Sequence, residues 1–373
     1  MNMHPCVTGI SHTVPAIFFV LPILFLLTAC AGKPLNTWTV DSPPLALVPV
    51  ADAGVDDQRG RFREIYCEVL ESRGEDWSDY RPCEEALTRV ADEPAGNGEP
   101  VDMGVSDQKI LALIVPGVGW ECIKEWLELD ESVDDFLKSF NFRTELLEVD
   151  GLSGTERNAR QIRDAITGLP EEFDDTSIFL IGYSKGAPDI LQAIVDYPEL
   201  KERVVAVISA SGAIGGSPLA NGADQKDLNI IRRFPGANCS EGDGGAVDSL
   251  RPGVRRAWLA HNTLPDEIAY YSLVTYPNPD RISSVLGSSY RKLSRVDARN
   301  DSQLIYYDQV IPGSTLLGFL NADHWAVAVP IARSHSFIGS TFVDKNDYPR
   351  EAMVEAVLRF VQEDLKHREM KEK

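Results

Sequence analysis

Short apolar runs alternate along this chain with stretches whose apolar residues return every three or four positions. Lys109–Val115, Ile178–Ile181, Val204–Ser209, Ile268–Tyr276 and Leu316–Leu320 are apolar runs of strand length bounded by polar residues, and the more mixed Phe142–Val149 reads as a further strand. The continuous apolar character of Lys109–Val115 predicts a sheet covered on both faces. Between them, Cys122–Phe140 sets Trp126, Leu129, Val133, Phe136 and Leu137 on one side. Thr155–Leu169 reads as a helix ended by Pro170, and Ile190, Leu191, Ile194 and Val195 recur at helical spacing. Arg350–Lys366 closes the chain as an amphipathic helix. The order β-α-β-α-β-α-β predicts a parallel sheet with right-handed crossovers, flanked by helices.

Around this frame the pattern is weaker. Residues 61–90 read as a helical hairpin around Gly74–Pro82, with Phe62, Ile65, Tyr66, Val69 and Leu70 on the first helix and Ala86, Leu87 and Val90 on the second. Residues 30–60 and 91–107 have no clear period and read as linkers. Residues 215–266 interrupt the alternation with a long stretch rich in Gly, Pro and charge, of the kind that forms lids, with a short helix at Val254–Ala260. Leu304–Tyr307 is a candidate short strand, and Ile282–Val296 is partly helical.

One run leads directly into Gly182-Tyr183-Ser184-Lys185-Gly186, a G-x-S-x-G pattern, and then into a helix. Strand, tight turn and helix are the context that gives this short pattern meaning, because the turn lifts the serine hydroxyl above the strand end. A flexible surface turn would not explain the apolar strand that enters it. Pro116-Gly117-Val118-Gly119-Trp120 is a glycine-rich turn at the end of another strand, where backbone N–H groups can approach a ligand. Both turns, with Ser209–Gly216, fall at the carboxyl edge of the predicted sheet, where ligands bind in such folds.

Charge narrows the partners. The 373 residues include 57 acidic and 36 basic side chains, a net charge of −21. That excludes nucleic acid as the expected partner, since phosphate backbones are held by Lys and Arg. No nucleotide fingerprint and no Cys/His cluster with zinc spacing is visible, so no cofactor and no metal are expected. Residues 1–30 contain no charged side chain, and Val14–Leu27 is nearly all apolar. This segment ends in Leu27-Thr28-Ala29-Cys30 and resembles a bacterial lipoprotein signal. The resemblance implies removal of residues 1–29, lipid on Cys30, a membrane reached through that anchor, and export to the cell envelope; Gly32, two beyond the cysteine, implies the outer membrane. Of the six cysteines, Cys67, Cys83, Cys122 and Cys239 then remain. Four cysteines in an exported protein suggest two disulfides with three possible connectivities; Cys67–Cys83, within one local unit, and then Cys122–Cys239 are favoured.

A serine needs a base to become a nucleophile, and the base needs an acid to fix its tautomer. His261, His324 and His335 lie downstream of Ser184 and before the final helix. His324 directly follows a predicted strand and is the favoured base. Asp301, in Asn300-Asp301-Ser302, and Asp308 are rival acids; Asp301 is favoured because it leaves room for the strand before His324. Asp323 reads as structural. From Lys109 to Lys366 the arrangement resembles the α/β-hydrolase family, and within it bacterial lipases and carboxylesterases. The elbow at Ser184, the early glycine turn and the order Ser, Asp, His carry this resemblance. It implies an α/β-hydrolase fold over residues 108–373. It also implies hydrolysis of a small-molecule or lipid ester through an acyl-enzyme, with an oxyanion hole formed by the N–H groups of Lys185 and Val118. Pro116 stands where that family often has histidine, which leaves Gly119 and Trp120 as alternative donors. Ser302 stands where it often has glycine. An acyltransferase and a non-catalytic binding module on the same fold are the alternatives.

Overall fold

The computed structural model describes residues 54–74, 79–90, 92–124, 137–223, 232 and 239–372. The chain divides into two units, residues 1–34 and 35–373, and every described residue belongs to the second. The expected signal and the lipid site at Cys30 lie outside the described residues.

Seven parallel strands form one sheet in the order β1-β7-β6-β5-β4-β2-β3. They are β1 (Asp56–Asp57), β2 (Ile110–Val115), β3 (Phe142–Leu146), β4 (Ser177–Tyr183), β5 (Val204–Ala210), β6 (Ala269–Thr275) and β7 (Thr315–Leu320). Alternate residues of each strand enter opposite cores. Ile110, Ala112, Phe179 and Ile181 pack with Phe62 and Ile65 of α1 (Arg59–Arg73) and with Val357 and Val361 of the terminal helix. Leu111, Leu113, Ile178 and Leu180 pack with Ile162 of α2 (Thr155–Thr167) and Ile190 and Ile194 of α3 (Gly186–Asp196). Two apolar faces explain why the central strands read as unbroken apolar runs.

The chain runs from β2 outward to β3 and then returns to place β4 on the other side of β2. That reversal opens a crevice at the carboxyl ends of β2 and β4, the place where open α/β sheets bind ligands. Both glycine-bearing turns singled out in the sequence lie there.

Several elements differ from the expectation. Residues 56–60, assigned to a linker, hold β1 and the start of α1. Asp56 N–H donates to the Ser314 carbonyl at 3.1 Å and Gln58 N–H to that of Leu316 at 3.1 Å. Two aspartates have no apolar signature; they form a short charged edge strand that discourages pairing with another chain. The second leader helix is shorter than expected, Cys83–Ala86, because Leu87 instead bridges Leu320 of β7. Leu304–Tyr307 is not a strand: Ile305 makes a single bridge to Asn300, and Tyr306–Gln309 is a 3₁₀ turn. β3 stops at Leu146. The helix expected over residues 122–140 begins at Trp120, and residues 125–136 lie outside the described residues. Within the insertion, α4 (Pro252–His261) matches the expected short helix.

Disulfides join Cys67 to Cys83 and Cys122 to Cys239. The second ties the insertion to the helix that follows the Pro116–Trp120 turn. The insertion is also held at the start of α2, where Asp243 accepts from Gly154 N–H at 2.8 Å and donates its own N–H to Ser153 Oγ at 3.0 Å.

α1 is clamped to the terminal helix α5 (Arg350–Glu372) by ion pairs. Arg61 binds Glu363 through two contacts of 2.7 Å. Glu355, 0% exposed, receives both Arg73 and Arg359. Removing one partner of such a buried group strands the others without their counter-charge. Glu355→Ala is expected to lower unfolding stability by about 3 kcal/mol, read from the urea midpoint at unchanged m-value.

Candidate active site

β4 delivers its chain into a turn that only small residues can make. A β-carbon at Gly182 would lie 2.4 Å from Ala187 Cα, and one at Gly186 would lie 2.0 Å from the Val115 carbonyl oxygen. The strand, the turn and α3 are therefore packed backbone to backbone. Ser184 occupies the left-handed region at φ +53, an uncommon conformation for a residue with a side chain, held here by its neighbours. Its N–H donates to the Ala210 carbonyl at 3.3 Å, and its own carbonyl accepts from Ala213 at 2.9 Å and Ala187 at 3.3 Å. These bonds hold the side chain up, half-buried, at the crevice.

His324 follows β7 and meets the serine there. Its Nε2 lies 2.9 Å from Ser184 Oγ, and its Nδ1 lies 2.8 Å from Asp301 Oδ2. The backbone reinforces the pair, since His324 N–H donates to the Asp301 carbonyl at 3.0 Å. Tyr183 O–H donates to the His324 carbonyl at 2.6 Å, which ties the His324 loop to the last residue of β4. Asp323, read as structural, accepts from the N–H groups of Trp325, Ala326 and Ser283 at 2.9–3.1 Å and shapes the loop.

Asp301 is fully buried and well supplied with donors. Oδ1 accepts from Gln303 N–H at 2.9 Å and Leu304 N–H at 2.7 Å. Oδ2 accepts from the Thr275 hydroxyl and, at 3.3 Å, from Gln309 Nε2, beside its contact with His324. The residue after it, Ser302, has φ +83, in the region that favours glycine. The backbone form that glycine would relax is thus kept here with a serine. Thr275 and Gln309 were not singled out in the sequence; an isolated Thr at a strand end and a Gln in a polar turn carry no pattern that marks them.

The rival residues are placed elsewhere. Asp308 is buried, its Oδ1 has a long contact of 3.4 Å to Arg256 on α4, and its Oδ2 has no partner among the described residues. Burial pushes its carboxyl up to about 7, with Arg256 opposing. His261 is exposed at the end of α4, where its Nδ1 lies 2.7 Å from the Ala257 carbonyl. His335 lies just before the short helix Ser336–Thr341, in a different segment from the Ser184 turn.

The glycine-rich turn lies against the serine: a β-carbon at Gly117 would come 2.9 Å from Ser184 Cβ. Its N–H groups are unequally committed. Gly119 N–H donates to the Gly151 carbonyl at 3.1 Å and Trp120 N–H to that of Gly117 at 3.4 Å. No described residue accepts from the N–H of Val118 or of Lys185. A cavity of about 250 Å³ opens beside this turn, lined by Pro116, Trp120, Glu121, Leu147, Val149 and Asp150 among others. Burial, and then the nearby Asp150, push the Glu121 carboxyl up. Glu121, Cys122 and Cys239 are the one group of metal-ligand type among the described residues, and both sulfurs are already joined in a disulfide.

No protein-family model matches the chain, and no curated protein does. Among solved structures, the crystal structure of a metagenomic carboxyl esterase shares 38% identity and a TM-score of 0.81, over 89% of this chain and 100% of that one. A Bacillus licheniformis lipase in mature form shares 19% identity and a TM-score of 0.48, over 61% of this chain and 89% of that chain. EstA from Clostridium botulinum shares 12% identity and a TM-score of 0.44, over 78% of this chain and 97% of that one. The likeness to the metagenomic enzyme extends over that enzyme's whole length, and with it this chain belongs to the carboxylesterases of the α/β-hydrolase family.

Proposed function

We propose that this protein hydrolyses carboxylic esters by acyl transfer to Ser184. The observation that carries the reading is the continuous line of hydrogen bonds from Ser184 Oγ through both nitrogens of His324 to Asp301. In this reading His324 Nε2 takes the Ser184 proton as the oxygen attacks the ester carbonyl, and then gives it to the departing alcohol. Asp301 holds the proton on Nδ1 and so presents Nε2 as an acceptor. Its other donors hold it in place while the imidazole gains charge. Water then repeats the sequence on the acyl-enzyme. The developing oxyanion is received by the N–H groups of Lys185 and Val118. The commitment of Gly119 and Trp120 N–H to backbone carbonyls supports Val118 over the two alternatives, and a donor of this kind is worth about 10²–10³ in kcat.

The leader and its Cys30 carry a further part of the proposal: an exported protein tethered to a membrane by lipid. The two disulfides support an oxidising compartment.

A fluorophosphonate is expected to label Ser184 in the folded enzyme. Ser184→Ala is expected to lower kcat on an activated ester by on the order of 10⁶-fold without unfolding the chain. Ester turnover that persists in that variant would overturn the assignment. Asp301→Asn is expected to cost about 10⁴ in kcat, through the wrong tautomer of His324. Asp308→Asn is expected to leave kcat within a few-fold. Its effect is on stability instead. The folded chain keeps a proton on Asp308 up to about pH 7, which the unfolded chain releases at about pH 4. Stability of the wild type therefore falls with rising pH across that window, by up to about 1.4 kcal/mol per pH unit from this group. Asp308→Asn should remove that slope in urea titrations between pH 4 and 7.

A further inference from the structure

A group of buried charges sits directly behind the serine turn, and the acyl-transfer steps above leave it unused. Lys185 is 1% exposed and Asp189 0%, and the lysine Nζ lies 2.7 Å from each carboxylate oxygen. The same two residues are joined through the backbone, Asp189 N–H to the Lys185 carbonyl at 3.2 Å. Asn158 of α2 holds Asp189 from the far side, its Nδ2 donating to Oδ2 at 2.7 Å. Arg255 of α4, 1% exposed, adds a second cation that acts on Asp189. Its Nε donates to the Ile214 carbonyl at 3.2 Å, one residue from the Ala213 N–H that holds the Ser184 carbonyl, and its guanidinium lies 4.7 Å from the Trp258 ring centre. Asp189 thus has one direct ion pair, with Lys185, and a longer-range attraction to Arg255. Arg255 Nη2 and Asn158 Oδ1 have no hydrogen-bond partner among the described residues.

Stability does not account for this group. An apolar pair of the same volume serves a core equally well or better, and a surplus buried charge is costly. What the pair adds to the helix's own backbone bond is an anchor at the side chain of residue 185, directly after the peptide unit whose N–H no described residue accepts from. We propose that the Lys185–Asp189 pair, with Arg255 behind it, is a positioning device for the Lys185 amide that raises kcat and leaves substrate affinity unchanged. The inference rests on the acyl-transfer reading above.

The test is the double variant Lys185→Met/Asp189→Leu, which removes both charges and keeps the volume, assayed with a short-chain p-nitrophenyl ester beside the melting temperature. The expected result is a kcat lowered about tenfold or more, KM within about twofold of wild type, and an unchanged or higher melting temperature. A folded double variant with wild-type kcat overturns the inference, as does a loss confined to KM. Should the double variant fail to fold, Arg255→Met decides, because it leaves the Lys185–Asp189 pair intact. A lower kcat at constant KM supports the inference, and an unchanged kcat overturns it. Fluorophosphonate labelling separates the two levels. A wild type left unlabelled at Ser184 fails the acyl-transfer reading itself. A labelled wild type whose double variant is labelled at the same rate fails only the positioning role.

Discussion

The site depends on one close approach, the backbone of Gly186 against the carbonyl of Val115. The 2.0 Å separation that a β-carbon would have there shows that α3 begins in direct contact with the end of β2. Because the two backbones touch, the turn after β4 is held at the crevice at the carboxyl ends of β2 and β4. Ser184 must then adopt a left-handed conformation to leave the strand and enter the helix. Gly117 is brought against the serine by the same contact. The placement of the Ser184 side chain and of the turn that faces it is therefore a consequence of packing in the middle of the sheet, and needs no flexible loop.

Two buried aspartates in neighbouring turns show how environment separates otherwise similar groups. Asp301 receives backbone, hydroxyl, amide and imidazole donors, so both of its buried oxygens are hydrogen-bonded. Asp308 has a single long contact to a guanidinium and one bare oxygen, so burial favours its protonated form. The difference lies in which strand ends surround each carboxylate. Thr275 ends β6, and Gln309 reaches across from the 3₁₀ turn to bond both Thr275 and Asp301.

Much of the sheet was legible because parallel strands covered on both faces leave unbroken apolar runs, as in Ile110–Val115 and Ile178–Ile181. The Ser184 turn was legible because its glycines are required by local sterics. What escaped was set by partners distant in the chain. Nothing in Asp56-Asp57 predicts pairing with Thr315 and Leu316. Leu87 looked helical by its spacing and was taken by Leu320. The preference for Asp301 over Asp308 rested on spacing along the chain, whereas the structure distinguishes them by donors drawn from β6 and the Gln309 turn. The cysteine pairing was legible through its local member, because joining Cys67 to Cys83 leaves only Cys122 for Cys239, and the insertion's path brings those two together.

The position of β7 has a kinetic consequence. The strand that precedes His324 lies between β6 and β1, so it joins the outermost strand of its side to the body of the sheet. Ser184 and His324 are 140 residues apart and come into contact only when that gap is filled. A chain still emerging from the ribosome carries the serine turn before it carries the histidine. Contacts of such long sequence separation form slowly and late. The Ser184–His324 contact is thus completed only when the last strand has been inserted.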